Sequence, residues 1–438
     1  MTRQIHLGLF MQGTGNHVAG WRLPGAHASF QDIDVCVSLA RTAERGKFDI
    51  LFAGDGYGVR AGSHPSQAAR LQPLPMFSAL AMVTKHIGLG ATASTTYNDP
   101  YTVARGYATL DHISKGRAAW NAVTTAQPEA GLVFGRQHPN HAERYEVANE
   151  FIAVVKQLWD CWEDDAIPAD RDSGVYIEWD KIHAIDHKGK FFNVQGALNL
   201  GRSPQGHPVI LQAGGSEAGQ TLAAATADVV FAVVQDFDES RESYKALKQR
   251  VVAAGRDPDA VCSMPGVMPI VAETDAAARQ QLNMLQNFVD DSVSIKMLAS
   301  RVGINVTRDD LDKPLSIDFE IPGSSHGFSR TLRNKAMRDG MTVRELYNLV
   351  AAARGHLVIC GSPKTIADEF EKWFTGRACD GFIVLPAYFP GAFDDFVDMV
   401  VPELQRRGLY RHDYTGVTLR DHLGLPRPDG PYTAKTGR

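Results

Sequence analysis

A glycine turn, Ala213-Gly214-Gly215-Ser216, separates the apolar run 208–212 from an Ala-rich helical stretch. Strand, glycine turn and helix in that order let backbone N–H groups and the positive end of a helix meet a phosphate. His141 and Tyr145 lie four residues apart at the start of a long helical stripe, so they share one face, and either serve a site there or pack and cap the helix. Asn121 is the abrupt polar end of an apolar, strand-like run; it contacts a ligand or caps the turn that follows. Asp55 closes a second such run inside a Gly-rich turn, as a site carboxylate or a turn cap. Ser94, Thr95 and Thr96 make a hydroxyl-rich end to a third. His17 and Trp21 stand in the Gly-rich loop 12–28, which is too long for a simple connector.

These groups need elements that bring them to one place. Continuous apolar runs read as strands covered on both faces, and eight of them occur: 5–10, 49–55, 86–96, 118–121, 208–212, 228–234, 261–271 and 381–385. Helical stretches at 32–45, 76–85, 101–113, 142–159 and 241–254 alternate with them. Gly116 provides a left-handed stop before the fourth strand, which would deliver Trp120 and Asn121 to a site. The alternation predicts an α/β chain folded as a (β/α)8 TIM barrel of about 250 core residues. A single domain over 1–425 follows, with insertions at about 160–205 and 276–354 and a tail at 426–438. The first insertion should carry a β-hairpin built from 175–179 and 189–194, and the Pro/Gly-rich 312–329 in the second reads as a lid. The polar chain from Arg411 is expected to wrap the surface.

In such a barrel every strand ends at the same mouth. Asp55, Ser94, Asn121, His141, Tyr145 and the 213–216 turn then converge, and a flavin phosphate with its ring is the economical occupant. A dinucleotide-binding reading of the glycine turn, with Asp236 about twenty residues on, is the rival.

Composition bounds the rest. A net charge of −5 over 438 residues leaves no footprint for nucleic acid or an anionic membrane. Five scattered cysteines form no CxxC pair, which suggests neither zinc nor disulfides and fits a cytoplasmic setting. HxH, HExxH and GxSxG patterns are missing, so a metal-dependent or nucleophile-elbow hydrolase is not expected. No leader-like segment starts the chain, and no run approaches the ~18 apolar residues of a membrane span.

The motifs Leu110-Asp-His-Ile-Ser-Lys-Gly-Arg-Ala-Ala-Trp-Asn-Ala-Val-Thr124, Arg144-Tyr-Glu-Val-Ala-Asn-Glu-Phe151, His17-Val-Ala-Gly-Trp-Arg22, Gly90-Ala-Thr-Ala-Ser-Thr-Thr96 and Leu211-Gln-Ala-Gly-Gly-Ser216 resemble the bacterial luciferase-like flavin monooxygenases. Val401-Pro-Glu-Leu-Gln-Arg-Arg-Gly-Leu409 and Thr418-Leu-Arg-Asp-His-Leu-Gly-Leu425 extend the resemblance to almost the whole length. The similar branch includes nitrilotriacetate, dibenzothiophene-sulfone, dimethyl-sulfide and long-chain alkane monooxygenases. The resemblance implies a two-component system. A separate NAD(P)H:flavin reductase supplies FMNH2, and O2 is used through a C4a-peroxyflavin to oxidise a small organic substrate. It also implies that His141, Tyr145, Ala213, Gly214, Gly215 and Ser216 hold the FMN phosphate, and that Asp55, Ser94, Thr95 and Asn121 line the ribityl chain and ring. His17, Trp21 and Asn121 are the implied catalytic contacts, His17 and Trp21 otherwise filling their loop. Homo-oligomerisation, as a dimer or tetramer, is implied too. Arg60 in the tip after Asp55 makes the pocket polar for an alkane, favouring an aminopolycarboxylate or organosulfur substrate. A deazaflavin (F420)-dependent oxidoreductase on the same barrel and a non-catalytic flavin-binding protein are the alternatives.

Overall fold

A computed structural model describes residues 3–59, 67–315, 332 and 334–432. Its strands are β1 (His6–Phe10), β2 (Ile50–Ala53), β3 (Gly88–Ser94), β4 (Ala118–Val123), β5 (Ile185–Lys188), β6 (Asn193–Gly196), β7 (Val209–Gln212), β8 (Val229–Ala232), β9 (Cys262–Val271), β10 (Leu357–Gly361) and β11 (Gly381–Val384). Eight of them, β1, β2, β3, β4, β7, β8, β9 and β11, pair in parallel and close into a ring, because β9 bonds β8 with its first half and β11 in its middle. This is the TIM barrel, and the closed ring replaces the open sheet that a dinucleotide-binding reading requires. Asp236, on which that rival leaned, caps the helix Phe237–Ala253 by accepting the Glu239 N–H at 2.8 Å.

Side-chain alternation divides the strands between two cores. Phe10, Ile50, Phe52, Ala119, Leu211, Phe231 and Ile383 fill the inside of the ring, while Leu9, Leu51, Ala91 and Trp120 face the helices. The expectation for Trp120 is therefore corrected. It is buried against Phe151, Tyr107 and Trp159, with Nε1 donating to the Ala93 carbonyl at 3.1 Å, so only Asn121 of the pair serves the inside. Each fully buried Phe contributes about 1.5–3 kcal/mol, which makes these layers the main source of stability. Gly8 makes room on the inner face: a Cβ there would stand 2.4 Å from Ile383 Cδ1, and that side chain would have to shift.

The helix His141–Trp159 buries Ala148, Ile152, Val155 and Trp159 at three- and four-residue spacing, as its sequence periodicity predicts. The helix Pro100–Ser114 ends on two left-handed residues, Lys115 (φ 60°) and Gly116 (φ 91°), rather than on the glycine alone.

Three other expectations change. A ninth parallel strand, β10, pairs with the far half of β9. The hairpin joins β5 to β6, whereas 175–179 forms no strand; Tyr176 and Trp179 are 68% and 74% exposed there, with no apolar face to bury. The chain after Arg411 does not wrap the surface but plugs the ring's amino end. Leu419, Leu423 and Leu425 join the inner core, Arg411 pairs with buried Asp49, and Arg420 Nη2 reaches Asp228 Oδ2 at 2.9 Å. Residues 316–329 of the expected lid, and Arg60, lie outside the described residues.

Candidate active site

The carboxyl ends of β7 and β4 and the amino end of the helix His141–Trp159 build one corner of the mouth. Ser216 caps the helix Glu217–Thr226 by accepting the Gly219 N–H at 3.1 Å, and its hydroxyl donates to Tyr145 Oη at 3.1 Å. Gly214 and Gly219 pass so close that a Cβ on either would meet the other's Cα at 2.8–2.9 Å. No other residue fits there, and the turn keeps its N–H groups accessible. Gly215 faces open space. Tyr145 also has the His141 ring 5.0 Å from its own. A glycine-lined turn, a helix start and two hydroxyls form an anion cradle, and a phosphate monoester fits these donors.

A second group hangs from β3 and β4. Thr92 and Asn121 are register partners, and Asn121 Nδ2 donates to Thr92 Oγ1 at 2.8 Å, which in turn donates to the Ala53 carbonyl at 2.7 Å. Asn121 is 3% exposed, yet its Oδ1 has no hydrogen-bond partner among the described residues. An orphaned acceptor of this kind costs about 1–3 kcal/mol, a cost removed when a ligand N–H arrives. Ser94 Oγ accepts from the Thr125 hydroxyl at 2.7 Å, and the Thr95 N–H donates to Val123 at 2.9 Å. Arg144, beside Tyr145, donates to the Thr125 carbonyl at 3.1 Å and so ties the anion corner to this tip. Asp55 sits after β2, 3.5 Å from Arg70 Nε; burial raises its carboxyl above the usual range, against the Gly56 N–H and the Arg70 charge.

On the loop after β1, His17 is buried, and burial pushes its imidazole down to about 3. The ring is neutral at pH 7. Its Nδ1 accepts the Ala19 N–H at 3.1 Å, which leaves the proton on Nε2, and Nε2 is buried without a hydrogen-bond partner among the described residues. Trp21 stands on the short turn Gly20–Arg22, 45% exposed. Phe10, Phe52 and Phe231 form the floor of the mouth, with ring centroids 5.0–5.8 Å apart, and His356 stacks on Phe231.

The structure thus joins Tyr145, Ser216, Gly214 and Gly219 directly, links them through Arg144 to Ser94, and sets Asn121 one register step inside. Arg144, Thr92 and Thr125 escaped sequence reasoning, although alternation along β3 places Thr92 on the same face as Ser94. Gln12, Asn16, Gln67 and Arg354 also meet at the mouth and carry no spacing signal. All five cysteines are free, and the described residues hold no group of three metal-binding side chains.

The sequence profile of the family described as luciferase-like monooxygenase matches residues 11–378. N-acetyl-S-(2-succino)cysteine monooxygenase of Bacillus subtilis (strain 168) is 44% identical, over 98% of each chain. Nitrilotriacetate monooxygenase component A of Aminobacter aminovorans is 45% identical, over 97% of each. Among solved structures, a riboflavin lyase with modified FMN and riboflavin superposes with a TM-score of 0.86 at 31% identity, covering 98% of this chain and 97% of that one.

Proposed function

We infer the reaction from a premise now in hand, that the chain belongs to the luciferase-like monooxygenase family. It is an FMNH2-dependent monooxygenase, the oxygenase component of a two-component system, and not a deazaflavin reductase or a silent flavin binder. Bound FMNH2 supplies two electrons to O2, so that one oxygen atom enters the substrate and the other leaves as water.

The chain's own residues divide the labour. Ser216, Tyr145, His141 and the 213–215 backbone hold the phosphate; Asp55, Ser94 and Thr95 flank the ribityl chain; Asn121 offers its orphaned Oδ1 to a ring N–H. His17 presents a neutral Nε2–H toward the reacting oxygen, with Trp21 screening the loop side. The floor of Phe10, Phe52 and Phe231 keeps water away from the reacting atoms. The observation that carries the assignment is the joint Tyr145–Ser216–Gly219, an anion cradle linked through Arg144 to the strand tips around Asn121.

A separate flavin reductase, drawing on NAD(P)H, is the partner that supplies FMNH2. The protein works as a homo-oligomer, dimer or tetramer, in the cytoplasm, which free cysteines suit. One domain spans 1–425, with insertions at about 160–205 and 276–354. Among the described residues no helix is long and apolar enough to cross a membrane. The substrate is a small carboxylated or organosulfur molecule.

The test mixes the protein with reduced FMN anaerobically, then with 18O2 and a panel of nitrilotriacetate, N-acetyl-S-(2-succino)cysteine and dibenzothiophene sulfone. Label in a product supports the reading. Flavin reoxidation identical to that of free FMN, with no labelled product, overturns it.

A further inference from the structure

We propose that a cavity on the outer flank of the ring, at the end opposite the mouth, binds an amphiphilic anion: a small molecule with an apolar body and one carboxylate head, of the fatty-acid or hydrophobic aryl-acid class. The site is separate from the flavin corner, and the inference does not depend on the reaction carried out there.

The cavity, about 560 Å³, lies between the helix Phe237–Ala253 and the turn Gly376-Arg377. Small-molecule sites commonly span about 300–1,000 Å³. Of its lining, Pro258 comes just before β9 and Arg377 just before β11, so it opens beside the amino end of the ring.

Helical spacing builds one wall. Arg241, Lys245, Lys248 and Val252 follow one another at three- and four-residue steps, so a single stripe carries three cations. Like charges at that spacing repel, and two of the three are relieved by neighbours. Arg241 pairs with Asp238 at 3.1 Å; Lys248 Nζ lies 3.3 Å from Asp380 and donates to the Pro258 carbonyl at 2.7 Å. Lys245 has no ion pair among the described residues, and no Asp or Glu lines the cavity.

The other wall carries Arg377, exposed and likewise without an ion pair among the described residues. A Cβ on Gly376 would stand 2.5 Å from Phe237 Cζ and 2.8 Å from the Lys372 carbonyl oxygen, so the glycine is used for that close approach. The left-handed position falls on Arg377 instead, at φ 58°. Between the walls the surface is apolar. Val252 is 58% exposed, Pro258 stands beside it in the lining, and Tyr244 has its hydroxyl committed to Asp380 Oδ1 at 3.0 Å. The aliphatic stems of the lysines add to this surface. Two uncompensated cations on different elements, over apolar side chains, match a carboxylate head with an apolar body. A purely ionic ligand would leave Val252 and Pro258 in water, and a neutral apolar one would leave both cations unanswered.

The test is calorimetric titration of decanoate into wild type, Lys245→Glu and Arg377→Gly, with decanol as the body without the charge and succinate as the charge without the body. Both substitutions are at exposed positions, and glycine suits the backbone at 377, so the fold is retained; a thermal melt checks this. The expected result is that wild type binds decanoate at least tenfold more tightly than decanol or succinate, that each variant weakens decanoate at least tenfold, and that affinity for oxidised FMN is the same in all three proteins. Failure of wild type to bind decanoate, unchanged decanoate affinity in either variant, or succinate binding as tightly as decanoate overturns the proposal. So does light scattering that shows either variant altering the oligomeric state, since the groove would then be a contact between copies of the chain.

Discussion

The Ser216 hydroxyl does two things at once: it caps a helix by accepting the Gly219 N–H, and it donates to Tyr145 on a different helix. Two helix starts are thereby fixed on one point, and any anion there sees both positive ends.

Ser216→Asp keeps a good cap and adds a negative charge. Like charges about 4 Å apart near a surface repel by about 4 kcal/mol, so FMN affinity should fall at least a hundredfold while the melting temperature holds. Flavin fluorescence quenching and a thermal melt measure both; unchanged flavin affinity would remove the phosphate assignment.

Asn121→Ala deletes an orphaned acceptor, and Thr92 keeps its bond to Ala53. Affinity for FMN should drop about tenfold, the worth of one hydrogen bond in a dry site. A variant that binds FMN like wild type would leave Asn121 only its structural bond to Thr92.

His17 has its pKa lowered by burial, to about 3, so the unfolded chain binds the extra proton first. Stability attributable to the neutral ring is complete above the unfolded value of about 6.5 and is lost as pH falls toward 3. Relative to His17→Gln, wild type should lose about 1.4 kcal/mol per pH unit in that window. Urea titrations at pH 7, 5.5 and 4.5 read the difference, and parallel curves for the two proteins would contradict it.

Arg411→Ala strips buried Asp49 of its guanidinium, leaving His6 Nδ1 at 3.2 Å and the Leu7 N–H. Removing one partner of a buried pair costs about 3–5 kcal/mol, and Arg411→Ala/Asp49→Asn should regain part of it. Chemical denaturation of both variants provides the comparison.

The barrel was legible because strands buried on both faces must be largely apolar, and each of the eight ring strands is such a run with few polar breaks. β10 was not, since Gly361-Ser-Pro363 announces the next helix more strongly than Leu357–Cys360 announces a strand. Trp120 was assigned to the wrong side because neighbours on a strand face opposite ways, a parity that one apolar run does not reveal. At the site, although β4 continues past Asn121 to Val123 rather than ending there, Ser216 and Tyr145 announced themselves near helix starts, and Asn121 as a polar residue in an apolar run. Gln67 and Arg354 did not, because two polar residues 287 positions apart share no local pattern and meet only once the ring has closed.

The amino-end plug ties distant parts of the sequence together. Asp49 comes early in the chain and Asp228 at its middle, and the arginines that reach them across the amino end, Arg411 and Arg420, follow long after. Asp49 therefore lacks its guanidinium until Arg411 has been made, whereas Asp228 has Arg256 at 3.6 Å before Arg420 is added. Truncation before Arg411 takes from the ring's amino end the Asp49 guanidinium partner and the plug of Leu419, Leu423 and Leu425, while every strand pairing of the ring lies upstream.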